Sequence, residues 1–284
     1  MEILYSFKTH LQGRGLSKRT VNSYITTLRR FARWVEQVHG EFDAAAITSL
    51  DVANYRRHLV EKGRKPATIN HALDVLNSFF VWANVKGVIQ VNPSASIKRV
   101  QEQKNAPRWL DRRELGIFIR TIQKYGKTRD IALVLLLIHT GLRISEAVSL
   151  KIDDVIIRER SGIVRVRHGK GDKYREVPLN LTVRRALDGY ISETKGEWLF
   201  PGRRGGHITT RSAENVLTKY GRVSGLNVTP HILRHTFGKM LVDAGESLDR
   251  VAALMGHANL NTTARYTRPS VQDLEKAVDR LAWE

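Results

Sequence analysis

The chain has no cysteine among its 284 residues. That excludes a disulfide framework, a thiolate nucleophile and a thiolate-bound zinc. It also lacks any apolar run near the roughly 20 residues that a membrane-spanning helix needs. The longest run, Ile131 to Ile138, suits a core helix instead. The N-terminal residues Met-Glu-Ile-Leu-Tyr-Ser-Phe show no basic segment ahead of an apolar one, so no secretory signal is expected and the chain fits the cytoplasm. No Walker-type phosphate loop, acidic metal cluster, long internal repeat or low-complexity stretch is present. Acidic residues are scarce: 28 Asp and Glu stand against 47 Lys and Arg, a net charge of +19. The excess is shared along the chain, with 16 basic and 8 acidic residues in positions 1–105 and 31 against 20 in the rest. Such a balance points to a nucleic-acid partner, with an anionic membrane surface or a generally basic, well-solvated exterior as the alternatives.

The periodicity divides the chain into two regions. Residues 1–99 read as a helical domain. Ser17 and Thr20 are candidate caps for a helix with apolar residues at 21, 24, 25, 28, 31, 32 and 35. Arg29, Arg30 and Arg33 lie off that stripe and face solvent or a ligand. A helix from near Asp51 and another over about 67–85 follow, the second ended by Lys86-Gly87. Residues 100–108 show no apolar period and read as a linker. Residues 109–284 read as a mixed domain. Asp111 with Glu114 makes a capping box, an apolar helix covers about 130–138, and 163–166 and 175–179 form two strands around a glycine-rich turn. Helices are expected near 181–193, 211–223, 231–244 and 247–255, with a short amphipathic one from about 271 to 281. The fold class is therefore mainly α with a small β-sheet.

Several polar residues of the second region suit phosphate chemistry. Arg143 follows a very apolar helix and a glycine, where an arginine is either an ion-pair partner or an anion ligand. Glu146, three residues on, can orient it in both cases. Thr229 and Pro230 start a helix whose first turn carries His231 and whose next turn carries Arg234, a suitable anion site at a helix N-terminus. His235 points about 100° away from Arg234 and reads as structural. His257, Tyr266 and Lys170, taken singly, are more readily packing or turn residues than catalytic ones.

Taken together the set changes meaning. Thr-Gly-Leu-Arg-Ile-Ser-Glu at 140–146, Gly-Lys-Gly-Asp-Lys at 169–173, His-Ile-Leu-Arg-His-Thr at 231–236, Met-Gly-His at 255–257 and Ala-Arg-Tyr-Thr at 264–267 occur in this order. The chain from about 109 to 270 thereby resembles the catalytic domain of tyrosine site-specific recombinases, the family of phage integrases and Xer-type recombinases. The helical first region resembles the family's SAM-like core-binding domain in pattern, with Leu-Ser-Lys-Arg-Thr-Val-Asn-Ser-Tyr at 16–24 typical of its first helix. Lys18, Arg19, Arg29, Arg30 and Arg33 are the DNA contacts this suggests. Met255 stands where leucine is common, and Arg268 where histidine or a polar residue often follows.

The resemblance implies a DNA cutting and rejoining enzyme. Tyr266 is expected to attack a phosphodiester, giving a 3′-phosphotyrosine and a free 5′-hydroxyl. Arg143 and Arg234 are expected to hold the non-bridging oxygens. Lys170, with Lys173 as the alternative, is the expected general acid, while His231 assists proton transfer at the tyrosine and His257 donates to the phosphate. A phenol has a reference pKa of about 10, so the surrounding cations favour its ionised form. The resemblance implies neither metal nor nucleotide cofactor. The implied partners are duplex DNA with an inverted-repeat core site, a homotetramer built of one dimer per site through exchange of residues 271–284, and an accessory protein, all at the nucleoid. The beginning of the first helix within the first few residues favours a compact Xer-like enzyme or a plasmid or transposon resolvase. A type IB topoisomerase and a non-catalytic DNA-binding regulator are the rival readings.

Overall fold

The computed structural model describes residues 2–102, 107–167, 174–203, 205–257, 262–267 and 278–279. The chain divides into two compact units, Met1–Lys104 and Asn105–Glu284.

The first unit is helical. It comprises α1 (Glu2–Gly13), α2 (Lys18–His39), α3 (Ser49–Glu61) and α4 (Pro66–Val85). Ser17 caps α2 by accepting a hydrogen bond from the Thr20 amide. α3 starts two residues earlier than the sequence suggested, because Thr48 caps it and Asp51 closes a capping box as its third residue. The apolar stripe of α2, Val21, Ile25, Leu28, Phe31, Ala32 and Val35, is buried. It meets the inner faces of α1 and α4, where Phe7, Phe79 and Trp82 form a close aromatic group with ring centroids 5.2–5.9 Å apart. Each such buried ring contributes about 1.5–3 kcal/mol. The beginning of the segment expected as linker is fixed to this unit: Asn70 donates to the Val100 carbonyl at 2.9 Å and accepts from the Val100 amide at 2.8 Å.

The second unit is built around α6 (Thr128–Thr140), whose residues from Ala132 to Ile138 are all buried. A helix apolar on every side must be surrounded. α5 (Arg112–Tyr125), α8 (Leu181–Glu193), α9 (Thr210–Val223) and α10 (Pro230–Asp243) pack around it. A small antiparallel sheet of order β1-β2-β3 lies in the same unit, with β1 at Val155–Ile157, β2 at Gly162–Val166 and β3 at Arg175–Pro178. β1 was not foreseen, since three residues are too few to show alternation. α7 (Ile144–Val148) follows the turn after α6, and α11 (Leu248–Met255) precedes a 3₁₀ turn at Ala264–Thr267. Of the expected C-terminal helix, Val278 and Asp279 are helical and the remainder lies outside the described residues. The fold class is the one the sequence predicted, mainly α with a small sheet.

One turn controls how α6 delivers the chain to Arg143. Gly141 ends α6 in the left-handed region at φ 60°, its amide bonded to the Leu137 carbonyl. A Cβ there would sit 2.2 Å from Cδ1 of Phe237 on α10. The Gly141→Ala variant therefore combines a left-handed backbone penalty with overpacking, and we expect it to lower unfolding free energy by about 2–4 kcal/mol. Urea denaturation reads this as a lower midpoint, and a parent-like midpoint would show the turn to be unconstrained.

Candidate functional site

The catalytic-type residues of the second unit converge on the end of one helix. α11 ends at Met255, with Gly256 as its cap. Its last carbonyls have no partner within the helix and need donors from elsewhere. Three arginines supply them. Arg175 Nε donates to the Leu254 carbonyl at 3.2 Å. Arg234 Nη2 donates to the Met255 carbonyl at 2.6 Å. Arg143 Nη2 donates to the Gly256 carbonyl at 3.1 Å. The negative end of the helix dipole favours these cations further.

Glu146 holds two of them together. Its side chain is only 2% exposed. Arg143 Nη1 donates to Oε1 at 2.8 Å and the Arg143 amide donates to Oε2 at 2.8 Å. Arg175 donates to both carboxylate oxygens, at 3.1 and 2.7 Å. Burial alone would push the Glu146 carboxyl up, but the Arg175 hydrogen bond and charge, with the two bonds from Arg143, hold it below the usual carboxylate range. Arg234 lies deeper and donates to the Gly141 carbonyl at 2.5 Å. Its pKa is pushed down to about 10, first by burial and then by the like charge of Arg143.

Tyr266 lies beside this cluster, on the 3₁₀ turn. It is 1% exposed. Its ring is set against α10 at Gly238, where a Cβ would come within 2.7 Å of Cε2 and 2.8 Å of Cζ. The phenol oxygen is 2.8 Å from Nδ1 of His235. His257 lies nearly parallel to the tyrosine ring, with centroids 6.5 Å apart and a 15° interplanar angle, and its Nδ1 is 2.9 Å from Thr263 Oγ1. His231 is the second residue of α10 and is exposed.

Thus Arg143, Glu146, Arg234, His257 and Tyr266 come together, with His231 at the start of the helix that carries Arg234. Lys170 and Lys173 lie outside the described residues. Two side chains outside the expected set join the site. His235, which its angle to Arg234 marks as structural, contacts the tyrosine hydroxyl, because helix spacing puts it on the face of His231, four residues before it. Arg175 shares a strand face with Val177, which is 1% exposed. An arginine on the buried face of a strand requires a carboxylate partner, and that pattern was the available signal. Among the described residues no group of three or more metal-ligating side chains is gathered, and no helix is long and apolar enough to cross a membrane.

The first unit carries a groove of about 690 Å³ lined by basic and polar side chains. Arg19, Arg30 and Arg33 of α2 face it, together with Lys62, Arg64 and Trp34. Lys18 and Arg29, also expected as DNA contacts, are exposed but outside its lining.

Comparison with known proteins identifies the family. The phage integrase family matches residues 108–273, and its N-terminal SAM-like domain matches residues 3–86. The chain is 30% identical to the tyrosine recombinase XerA of Pyrococcus furiosus over 284 residues, covering 98% of this chain and 93% of that protein. It is 32% identical to the tyrosine recombinase XerC of Syntrophus aciditrophicus over 302 residues, covering 98% and 96%. In fold it is similar to XerH recombinase bound to a palindromic difH substrate after cleavage, with TM-score 0.79, 24% identity and coverage of 96% and 84%. A lambda integrase dimer bound to a COC′ core site gives TM-score 0.79 at 17% identity, covering 100% and 97%. The chain belongs to the phage integrase family and is a tyrosine recombinase, an enzyme of site-specific DNA strand cleavage and ligation.

Glu146 offers a direct test of the cluster. A carboxyl whose folded pKa is depressed stabilises the fold fully above its unfolded value and loses that contribution as pH falls through the folded one. Glu146→Gln is expected to cost about 3 kcal/mol at neutral pH, because it leaves buried guanidinium groups without a counter-charge. The melting-temperature gap between parent and variant should narrow as the pH drops below 4.5, the ordinary glutamate value. A gap that stays constant into acid would refute the ionised bridge.

Proposed function

We propose that Tyr266 is the nucleophile of this recombinase, and that Arg143 and Arg234 hold the phosphodiester it attacks. The observation that carries this reading is the placing of both guanidinium groups on successive carbonyls at the end of α11, beside the buried tyrosine. Their remaining N–H groups match the non-bridging oxygens of a phosphate in shape and charge. The charge that grows on phosphorus in the transition state meets cations fixed in advance. Lys170 protonates the leaving 5′ oxygen. His257 hydrogen-bonds the phosphate from the α11 end, and His231, for which the family resemblance implies help with proton transfer at the tyrosine, stands exposed at the start of α10. Glu146 and Arg175 are positioning residues that act through Arg143. The basic groove of the first unit binds the DNA backbone, with Arg19, Arg30 and Arg33 as contacts; Lys18 and Arg29 contribute charge outside it.

The XerH recombinase is bound to a difH substrate and the lambda integrase dimer to a COC′ core site. For this chain the corresponding partner is duplex DNA with an inverted-repeat core, met at the nucleoid by a dimer on each site and a tetramer on two. An apolar pocket of about 470 Å³, lined among others by Leu179, Phe237, Met240, Leu241 and Leu254, suits a neighbouring subunit's C-terminal segment. Residues 271–284 carry Val271, Leu274, Val278, Leu281 and Trp283 for such a contact. An accessory protein would select among resolution and integration outcomes.

Two experiments test this. Incubating the protein with fragmented chromosomal DNA and sequencing the pieces that become covalently attached should return one recurrent inverted repeat. Tyr266→Phe should abolish attachment while leaving affinity for that DNA nearly unchanged, and adducts surviving the substitution would remove the tyrosine from its role. Separately, Arg30→Ala and Arg33→Ala should each weaken binding and reduce the slope of log affinity against log salt by about one. An unaltered slope would place the DNA elsewhere on the first unit.

A further inference from the structure

The proton on the attacking phenol must leave as the tyrosine oxygen bonds to phosphorus. We infer that His235 receives it. This rests on the reading of Tyr266 as nucleophile and adds to it a second reacting group on α10.

The geometry is direct. Nδ1 of His235 lies 2.8 Å from the Tyr266 oxygen, within the ordinary range of an O–H to N hydrogen bond. With the hydroxyl donating, Nδ1 carries a lone pair and the ring proton sits on Nε2. The tyrosine has little freedom to turn from this partner, because its ring is buried and rests on the bare backbone of Gly238, one turn beyond His235. The two other histidines are less well placed for the task. His231 is exposed in the first turn of α10 and makes no hydrogen bond among the described residues. His257 stacks its ring plane alongside the tyrosine and directs Nδ1 to Thr263.

The step balances without a further reactant. The bond from the Tyr266 oxygen to phosphorus forms, and the bond from phosphorus to the 5′ oxygen breaks, its electron pair staying on that oxygen. The 5′ oxygen takes a proton from Lys170. The phenol proton passes to Nδ1, leaving His235 as an imidazolium. In rejoining, the imidazolium returns the proton to the departing phenolate, so one residue serves both directions.

The test uses the full chain and the inverted-repeat duplex recovered by covalent capture, nicked beside the cleavage point so that adduct accumulates. His235→Asn keeps a polar atom where Nδ1 stands but cannot take up a proton. We expect it to bind the duplex normally and to form adduct about a hundredfold more slowly. Replacing Tyr266 by 3,5-difluorotyrosine supplies a phenol that ionises close to neutral pH. In that background the effect of His235→Asn should shrink to a few-fold. A parent-like rate for His235→Asn overturns the inference. So does an equal loss in both tyrosine backgrounds, which would make His235 only a support for the ring. If His235→Asn fails to bind the duplex, His235→Gln takes its place in the same comparison. Failure of the nucleophile reading looks different: the parent protein would form no adduct, or Tyr266→Phe would still form it.

Discussion

The end of α11 needs hydrogen-bond donors, and the site depends on how that need is met. Three consecutive carbonyls, of Leu254, Met255 and Gly256, each receive one from an arginine. The three arginines come from β3, α10 and the turn after α6, which are far apart in sequence. Each side chain alone could satisfy its charge at the surface. Held by the same helix end, they must instead lie side by side, with His257 as the next residue of the chain. The helix terminus thus converts an ordinary backbone deficit into a phosphate-sized cluster of cations.

α10 is the second organising element, and its periodicity does the work. Thr229 accepts from the Ile232 amide and fixes where the helix begins. Every later placement follows from that start. Arg234 is carried inward to the α11 carbonyls, while His231, His235 and Gly238 follow the i, i+4 and i, i+3 spacing of a neighbouring stripe. The absence of a side chain at Gly238 gives the tyrosine ring its seat, and the imidazole one turn earlier meets its oxygen. Shifting the helix start by one residue would rotate these groups by about 100° and separate the histidine from the tyrosine.

The parts of this arrangement that are local in sequence were legible. Asp111 with Glu114, and Thr229 with Pro230, announce their helices through capping chemistry that acts over three or four residues. The central position of α6 follows from an unbroken apolar run. Arg143, Arg234, His257 and Tyr266 could be grouped because their flanking residues resemble a family, and spacing alone would not have joined them. What was not legible depends on backbone atoms and on pairs distant in sequence. No residue type records that a carbonyl at 254 lacks a partner, so in sequence Arg175 looks like any strand residue, and only its pairing with Glu146 in space sets it apart. Beside Arg234, its neighbour in sequence, His235 looks structural, whereas its hydrogen-bond partner is a tyrosine 31 residues away. The three-residue strand β1 is defined by its pairing with β2, which no short window contains.

The charge balance explains why the cluster is stable yet receptive. Three guanidinium groups gather around one buried carboxylate, and two of them bond it. Arg175 takes both oxygens of Glu146, and Arg143 takes one through its side chain and the other through its amide. Arg234 has carbonyl partners instead, and its pKa of about 10 corresponds to an electrostatic cost on the order of 3 kcal/mol relative to a solvated arginine. Part of that cost is repulsion from Arg143, and an anion between the two would relieve it. A second carboxylate in the cluster would relieve it as well, but would then compete with the phosphate. A single glutamate, turned toward Arg143 and Arg175, allows the cations to be assembled while leaving net positive charge at Arg143 and Arg234, where the proposed phosphodiester lies and where negative charge grows as it reacts.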